Sequence, residues 1–178
     1  MIRTLAAALA LLCVPALASA RAPSTAAERA RAVELTRKLE RQPLARSSNQ
    51  DRAWLLQFIV EAPDFEVKGC AGPLDVLAKN EDGPYARLLY VQSVFGQAAF
   101  LFEHPKKAND WAAAQTAGIE STLNAYESIL KADPDARWKE LDRLVAAKSA
   151  GKLRKLVEKE MAACGRGEEG GPPPADAI

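Results

Sequence analysis

Imidazole is almost absent from this chain: His104 is the single histidine. A serine or cysteine triad, or a histidine-containing metal site, would have to be built on that one residue. No H-x-x-x-H, C-x-x-C or G-x-S-x-G pattern is present to help it. Phosphate-cradling glycine loops are missing too, because Gly69-Cys70-Ala71-Gly72 lacks a preceding buried strand and the lysine of a P-loop. Aromatic residues make up only 6% of the chain, which weighs against sheet, and the abundance of Ala, Leu, Glu, Lys and Arg favours helix. Charge of one sign is not in excess either, with 24 Lys+Arg against 23 Asp+Glu. Nucleic-acid binding draws most of its affinity from a basic surplus, so this balance argues against that role.

One long apolar run exists, and it stands at the start. MIRTLAAALALLCVPALASA places Arg3 before an apolar stretch from Leu5 to Leu17 and ends on the small-x-small site Ala18-Ser19-Ala20. This is the pattern of a cleaved export signal over residues 1–20, too short for a good membrane span. Leu11-Leu12 precedes Cys13 where a lipid-modified cysteine would follow a small residue, so the soluble exported form is the expectation. Cleavage removes Arg3 and leaves a formally neutral chain. It also removes Cys13, leaving Cys70 and Cys164. Two cysteines in an oxidising compartment read as one disulfide, the alternatives being free thiols or an intermolecular link. Periplasmic or secreted localisation follows from the same signal.

The remainder reads as an all-α bundle of six or seven helices over residues 24–165, with a disordered tail over 166–178. Thr25 and Glu28 have capping-box spacing ahead of the narrow stripe Ala32, Leu35 and Leu39, and Pro43 ends that first helix. Ser47 with Gln50, and Ser48 with Asp51, predict caps for a second helix ending at Pro63. There Leu56 and Val60 widen the face of Trp54, Leu55, Phe58 and Ile59, which predicts burial on more than one side. Phe65 and Val67 alternate with charges in an extended crossover pinned by Cys70, and Pro73 suits the start of a short helix.

The segment from Tyr85 to Phe102 is apolar nearly all round, with a thin polar seam at Gln92, Ser93 and Gln97, and is expected at the centre with the second and fifth helices flanking it. Gly96, Ala98 and Ala99 would admit a close neighbour. The fifth helix starts at Asn109 or Asp110, a sixth is predicted from the Asp133-Pro134 cap, and a seventh carries Cys164 on its apolar face before a stop at Gly165. Ala125-Tyr126-Glu127-Ser128-Ile129-Leu130-Lys131-Ala132-Asp133-Pro134 resembles the second half of a tetratricopeptide repeat. Steps of about 34 residues from Tyr126 reach Gln92 and Glu160, so no period supports a repeat array and the segment reads as a helix-turn-helix corner.

Candidate chemistry is sparse. His104 sits where a helix ends, a position suited to terminal carbonyls. Asp64, Asp75, Asp82, Asp110, Asp133, Asp135 and Asp142 fall on exposed faces or helix starts, and their spacing selects no pair for glycoside hydrolysis. Lys152 to Lys159, the densest basic run, reads as the solvated back of an amphipathic helix. The sequence therefore predicts no catalytic residue, cofactor or metal. The expected role is an exported non-enzymatic module that binds an unknown protein partner or serves in the cell envelope. The alternative is a bundle holding a small apolar ligand or lipid near Phe95, Phe102 and Tyr126.

Overall fold

The computed structural model describes residues 21–70 and 72–164. The signal read at 1–20, the tail read at 166–178 and the stop at Gly165 lie outside the described residues. Among those described, the chain forms seven α-helices and no strand: α1 (Ala26–Arg41), α2 (Ser48–Glu61), α3 (Asp75–Lys79), α4 (Ala86–Glu103), α5 (Trp111–Ala132), α6 (Lys139–Ser149) and α7 (Leu153–Cys164). Single 3-10 turns lead into α3 and follow α4.

Helix α4 is central, and its most extensive partners are α5 and then α1. Helix α2 lies outside α1 and reaches the end of α4 through aromatic rings. The fifth helix flanks the fourth as expected, but α1, and not the second helix, takes the other side. The narrow stripe of α1 conceals polar residues that also face inward: Thr36 and Glu40 are buried beside Ala32 and Leu39. The Thr36 hydroxyl donates to the Ala32 carbonyl at 2.8 Å. The Glu40 carboxylate accepts from Ser121 at 2.6 Å, Arg37 at 2.7 Å and Asn124 at 3.2 Å.

Two dry clusters result. Leu77, Leu89, Leu123, Tyr126, Leu141 and Val157 anchor one under α3, α5, α6 and α7, and Leu39, Leu55, Phe58 and Phe95 anchor the other under α1 and α2. Where α1, α4 and α5 meet, the layer is polar. Gln92 donates to Ser121 at 3.0 Å, Gln97 to Gln115 at 3.4 Å, and the Thr122 hydroxyl to the Leu89 carbonyl at 3.0 Å. The seam at Gln92, Ser93 and Gln97 is thus among the most buried parts of α4, while Phe100 and Phe102 are half-buried. Glycines bring the backbones together. A Cβ on Gly96 would lie 2.9 Å from the Ala117 carbonyl oxygen, and one on Gly118 would lie 2.6 Å from that of Ser93.

Several predicted ends hold. Thr25 and Glu28 form both halves of the capping box, and the Asp110 side chain accepts from the Ala113 amide at 3.0 Å. Others do not. Ser47 makes no capping bond; Ser48 is buried and donates to the Gln42 carbonyl, while Asp51 pairs with Lys38 at 2.8 Å. Asp133 ends α5 instead of opening the sixth helix, which starts five residues past Pro134. The Tyr85 hydroxyl donates to Asp133 at 3.0 Å, and Tyr85 itself adopts a left-handed φ of 58° ahead of α4.

The α5–α6 corner is closed by Tyr126. Its hydroxyl accepts the Trp138 amide at 2.9 Å and donates to Asp142 at 2.9 Å. Cys70 and Cys164 are joined with Cα atoms 6.2 Å apart, as the cysteine count predicted, so the crossover is fastened to the last turn of α7. Gln115 secures it from the other side, donating to the Lys68 carbonyl at 2.8 Å.

Candidate functional site

The densest unusual surface surrounds the first turn of α1. Trp54 and Phe58 lie one helical turn apart on α2 and stack with centroids 5.2 Å apart. Phe65, from the crossover, meets Phe102 of α4 edge-on at 4.6 Å, and Phe58 contacts both at 5.9 and 5.8 Å. Pro63 ends α2 just before Phe65, which lets the chain turn and carry that ring back over the cluster.

Three arginines cover these rings. Arg21 stands 5.1 Å from the Phe58 centroid, Arg29 6.0 Å from Phe102, and Arg31 4.1 Å from Trp54. Two of them are also held by carboxylates. Arg21 donates to Glu28 at 2.9 Å and to the Phe58 carbonyl at 3.3 Å, and Arg29 reaches Asp64 at 2.5 Å and the Ser24 hydroxyl at 2.8 Å. Asp64 accepts in turn from the Ser24 amide and hydroxyl; the amide bond first, with the hydroxyl and Arg29 adding to it, holds its carboxyl below the ordinary range against the opposing effect of desolvation. Residues 21–25 are therefore stapled to the end of α2 and the start of the crossover. Open grooves run on both sides of the α1 turn, one between Arg21, Trp54 and Glu61, the other between Arg29, Val33 and Phe102.

Beyond the grooves, the outer side of α2 is apolar. Leu55, Phe58 and Ala62 point into the core, and Leu56 and Val60 lie on the opposite stripe. Val60 is 82% exposed, Leu56 38%, and Leu44 in the preceding turn 42%. The expectation that α2 is buried on more than one side is overturned, because no other helix among the described residues covers that stripe. All the exposed large hydrophobic side chains among the described residues fall in this one segment.

The other sequence candidates are dispersed. His104 is exposed at the end of α4, its amide on the Phe100 carbonyl at 2.9 Å and its ring 4.8 Å from that of Phe100. Among the described residues no three His, Cys, Asp or Glu side chains come together as metal ligands. Phe95 and Tyr126 are fully buried in different clusters and Phe102 lies at the aromatic rim, so the three do not line one space. Lys155 and Lys159 face outward on α7 and Lys152 is exposed just before it, as the amphipathic reading predicted. The arginine partners of the rings were not foreseen; the run of Arg21, Arg29 and Arg31 ahead of the Trp54–Phe58 pair was the available signal.

No family model matches the chain, and neither a curated protein nor a solved structure shows significant similarity to it.

Proposed function

We propose that this is an exported, non-enzymatic helical module of the cell envelope that works by binding through its α1–α2 face. The observation that carries this reading is the uncovered stripe on α2, with Val60 82% exposed opposite a well-packed core side. Large apolar side chains gathered on one exposed face mark a contact surface more often than chance placement does. Adjacent Trp, Phe and Arg side chains are the types enriched at binding hot spots. Export is supported by the leader pattern together with the Cys70–Cys164 disulfide, a bond that persists in oxidising compartments. Among the described residues no helix is long and apolar enough to cross a membrane, so attachment to the envelope would be peripheral.

The test is fractionation of the protein in its own host. The mature chain begins at Arg21 and is retained with the envelope. Leu56→Asp/Val60→Asp releases it to the soluble fraction with its melting temperature unchanged. A wild-type protein that is wholly free and monomeric, with the double variant behaving identically, refutes the reading.

A further inference from the structure

The α1–α2 corner carries cations as well as apolar side chains. Arg41 and Arg46 flank the exposed Leu44, and neither has an ion-pair partner among the described residues. Arg52 is half-buried. Its guanidinium donates to the Pro43 carbonyl and, at 3.0 Å, to Asn49, while its Nε has no partner among the described residues. Desolvation pulls the Arg52 pKa below its ordinary value, only partly offset by Asp51. The nearby carboxylates are already committed, Asp51 to Lys38 and Glu40 to Arg37. A corner with a positive excess therefore adjoins the uncovered apolar stripe.

The two features belong to one face. Asn49, Leu56 and Val60 are spaced seven and four residues apart, which puts them on one stripe of α2. Arg52 bridges Asn49 to Pro43, and so ties the turn bearing Leu44 to that stripe. Exposed Leu44, Leu56 and Val60, with Arg41 and Arg46 unpaired among the described residues at the same corner, complement a surface with an apolar interior and an anionic rim. On such a surface an apolar helix face sinks about 5–10 Å into the headgroup boundary and cations meet the phosphates.

We propose that the outer stripe of α2 and the α1–α2 corner dock on an anionic phospholipid bilayer, with Leu44, Leu56 and Val60 inserted and Arg41, Arg46 and Arg52 at the headgroups. The inference rests on the envelope-binding reading above and names its partner. Each exposed arginine near an anionic surface strengthens binding about fivefold.

The experiment is co-sedimentation of the mature, oxidised chain with vesicles of phosphatidylglycerol mixed into phosphatidylcholine, and with phosphatidylcholine alone. The protein binds the anionic vesicles, is released by high salt, and leaves the neutral ones in the supernatant. Arg41→Gln/Arg46→Gln binds about 25-fold more weakly. Val60→Asp abolishes binding; both variants alter exposed side chains, and unchanged circular dichroism melts verify the fold. Equal binding to neutral vesicles, indifference to the double arginine variant, or no binding at all overturns the proposal. So does a concentration-dependent dimer that Val60→Asp dissociates, which would assign the stripe to a second copy. If vesicles are not bound and Leu56→Asp/Val60→Asp still releases the protein from the host envelope, the lipid assignment fails and the binding reading stands. If that variant releases nothing, both fail.

Discussion

Substituting Gly96 by alanine tests the close approach of α4 and α5, on which the whole bundle is assembled. In an isolated helix this change is favourable, because glycine costs about 1 kcal/mol relative to alanine. Here the new methyl would enter the Ser121 side chain, stand 2.9 Å from the Ala117 carbonyl oxygen and 3.0 Å from the Gly118 Cα. The last two are backbone atoms that cannot rotate away, so the helices must separate. Overpacking of this kind costs typically about 1–3 kcal/mol. Separation also stretches the Gln92–Ser121 and Thr122–Leu89 hydrogen bonds, which places Gly96→Ala at the upper end of that range. After the helix-propensity gain, a net loss of about 1–2 kcal/mol remains, or roughly 3–6 °C in melting temperature for a domain of this size. Urea denaturation followed at 222 nm measures it. Gly69→Ala is the control: nothing lies within 4 Å of its new Cβ, and its effect stays within about 0.5 kcal/mol. A Gly96→Ala protein as stable as wild type, or more so, would show that the two helices do not meet as described.

Three further outcomes follow from particular contacts. Replacing Cys70 and Cys164 by serine opens a loop of sequence separation 94 and destabilises by up to about 4–5 kcal/mol in the chain-entropy account, measured as a lower urea midpoint with dithiothreitol having no further effect. Tyr126→Phe removes the hydroxyl that accepts from Trp138 and donates to Asp142, and costs about 1–2 kcal/mol in the same assay; an unchanged midpoint would refute the role given to that corner. Asp64 has its carboxyl held below the ordinary range, first by the Ser24 amide. Its stabilising contribution is therefore complete above the unfolded-chain carboxylate pKa near about 4 and is lost as pH falls through the lower folded value. Asp64→Asn removes that contribution, so stability difference curves against wild type should narrow as pH falls below about 4; a constant difference would contradict the assignment.

Much of the helical order was legible from local chemistry. Thr25 with Glu28, Pro43, Pro63 and Asp110 act within a turn or two of themselves, so their meaning survives in the sequence. The disulfide was legible because reading Cys13 as part of a cleaved leader leaves Cys70 and Cys164 as the one possible pair. What escaped depends on partners far along the chain. Glu40 looks like one more surface charge on α1, and only the arrival of Ser121 and Asn124, more than eighty residues later, makes it an interior group. Gln92 and Gln97 likewise read as no more than a thin polar seam until α5 supplies matching polar groups, and the narrow apolar stripe of α1 gives no sign that it packs directly on α4.

Asp133 misled for a related reason. Its cap-like position before Pro134 is real, but the Tyr85 hydroxyl takes its carboxylate and α6 begins later, after the Trp138 indole has seated against Gly83. At the candidate site the apolar residues of α2 were all visible. Periodicity could not say that Leu56 and Val60 lack a covering helix, because that depends on the packing of every other element.

The most direct measurement of the account is hydrogen exchange of the mature protein with and without membranes from its own host, read by mass spectrometry peptide by peptide. Binding through the α1–α2 face predicts slowed exchange confined to residues 41–61, with α6 and α7 unchanged. Slowed exchange on α6 or α7 alone, or none anywhere, would contradict it.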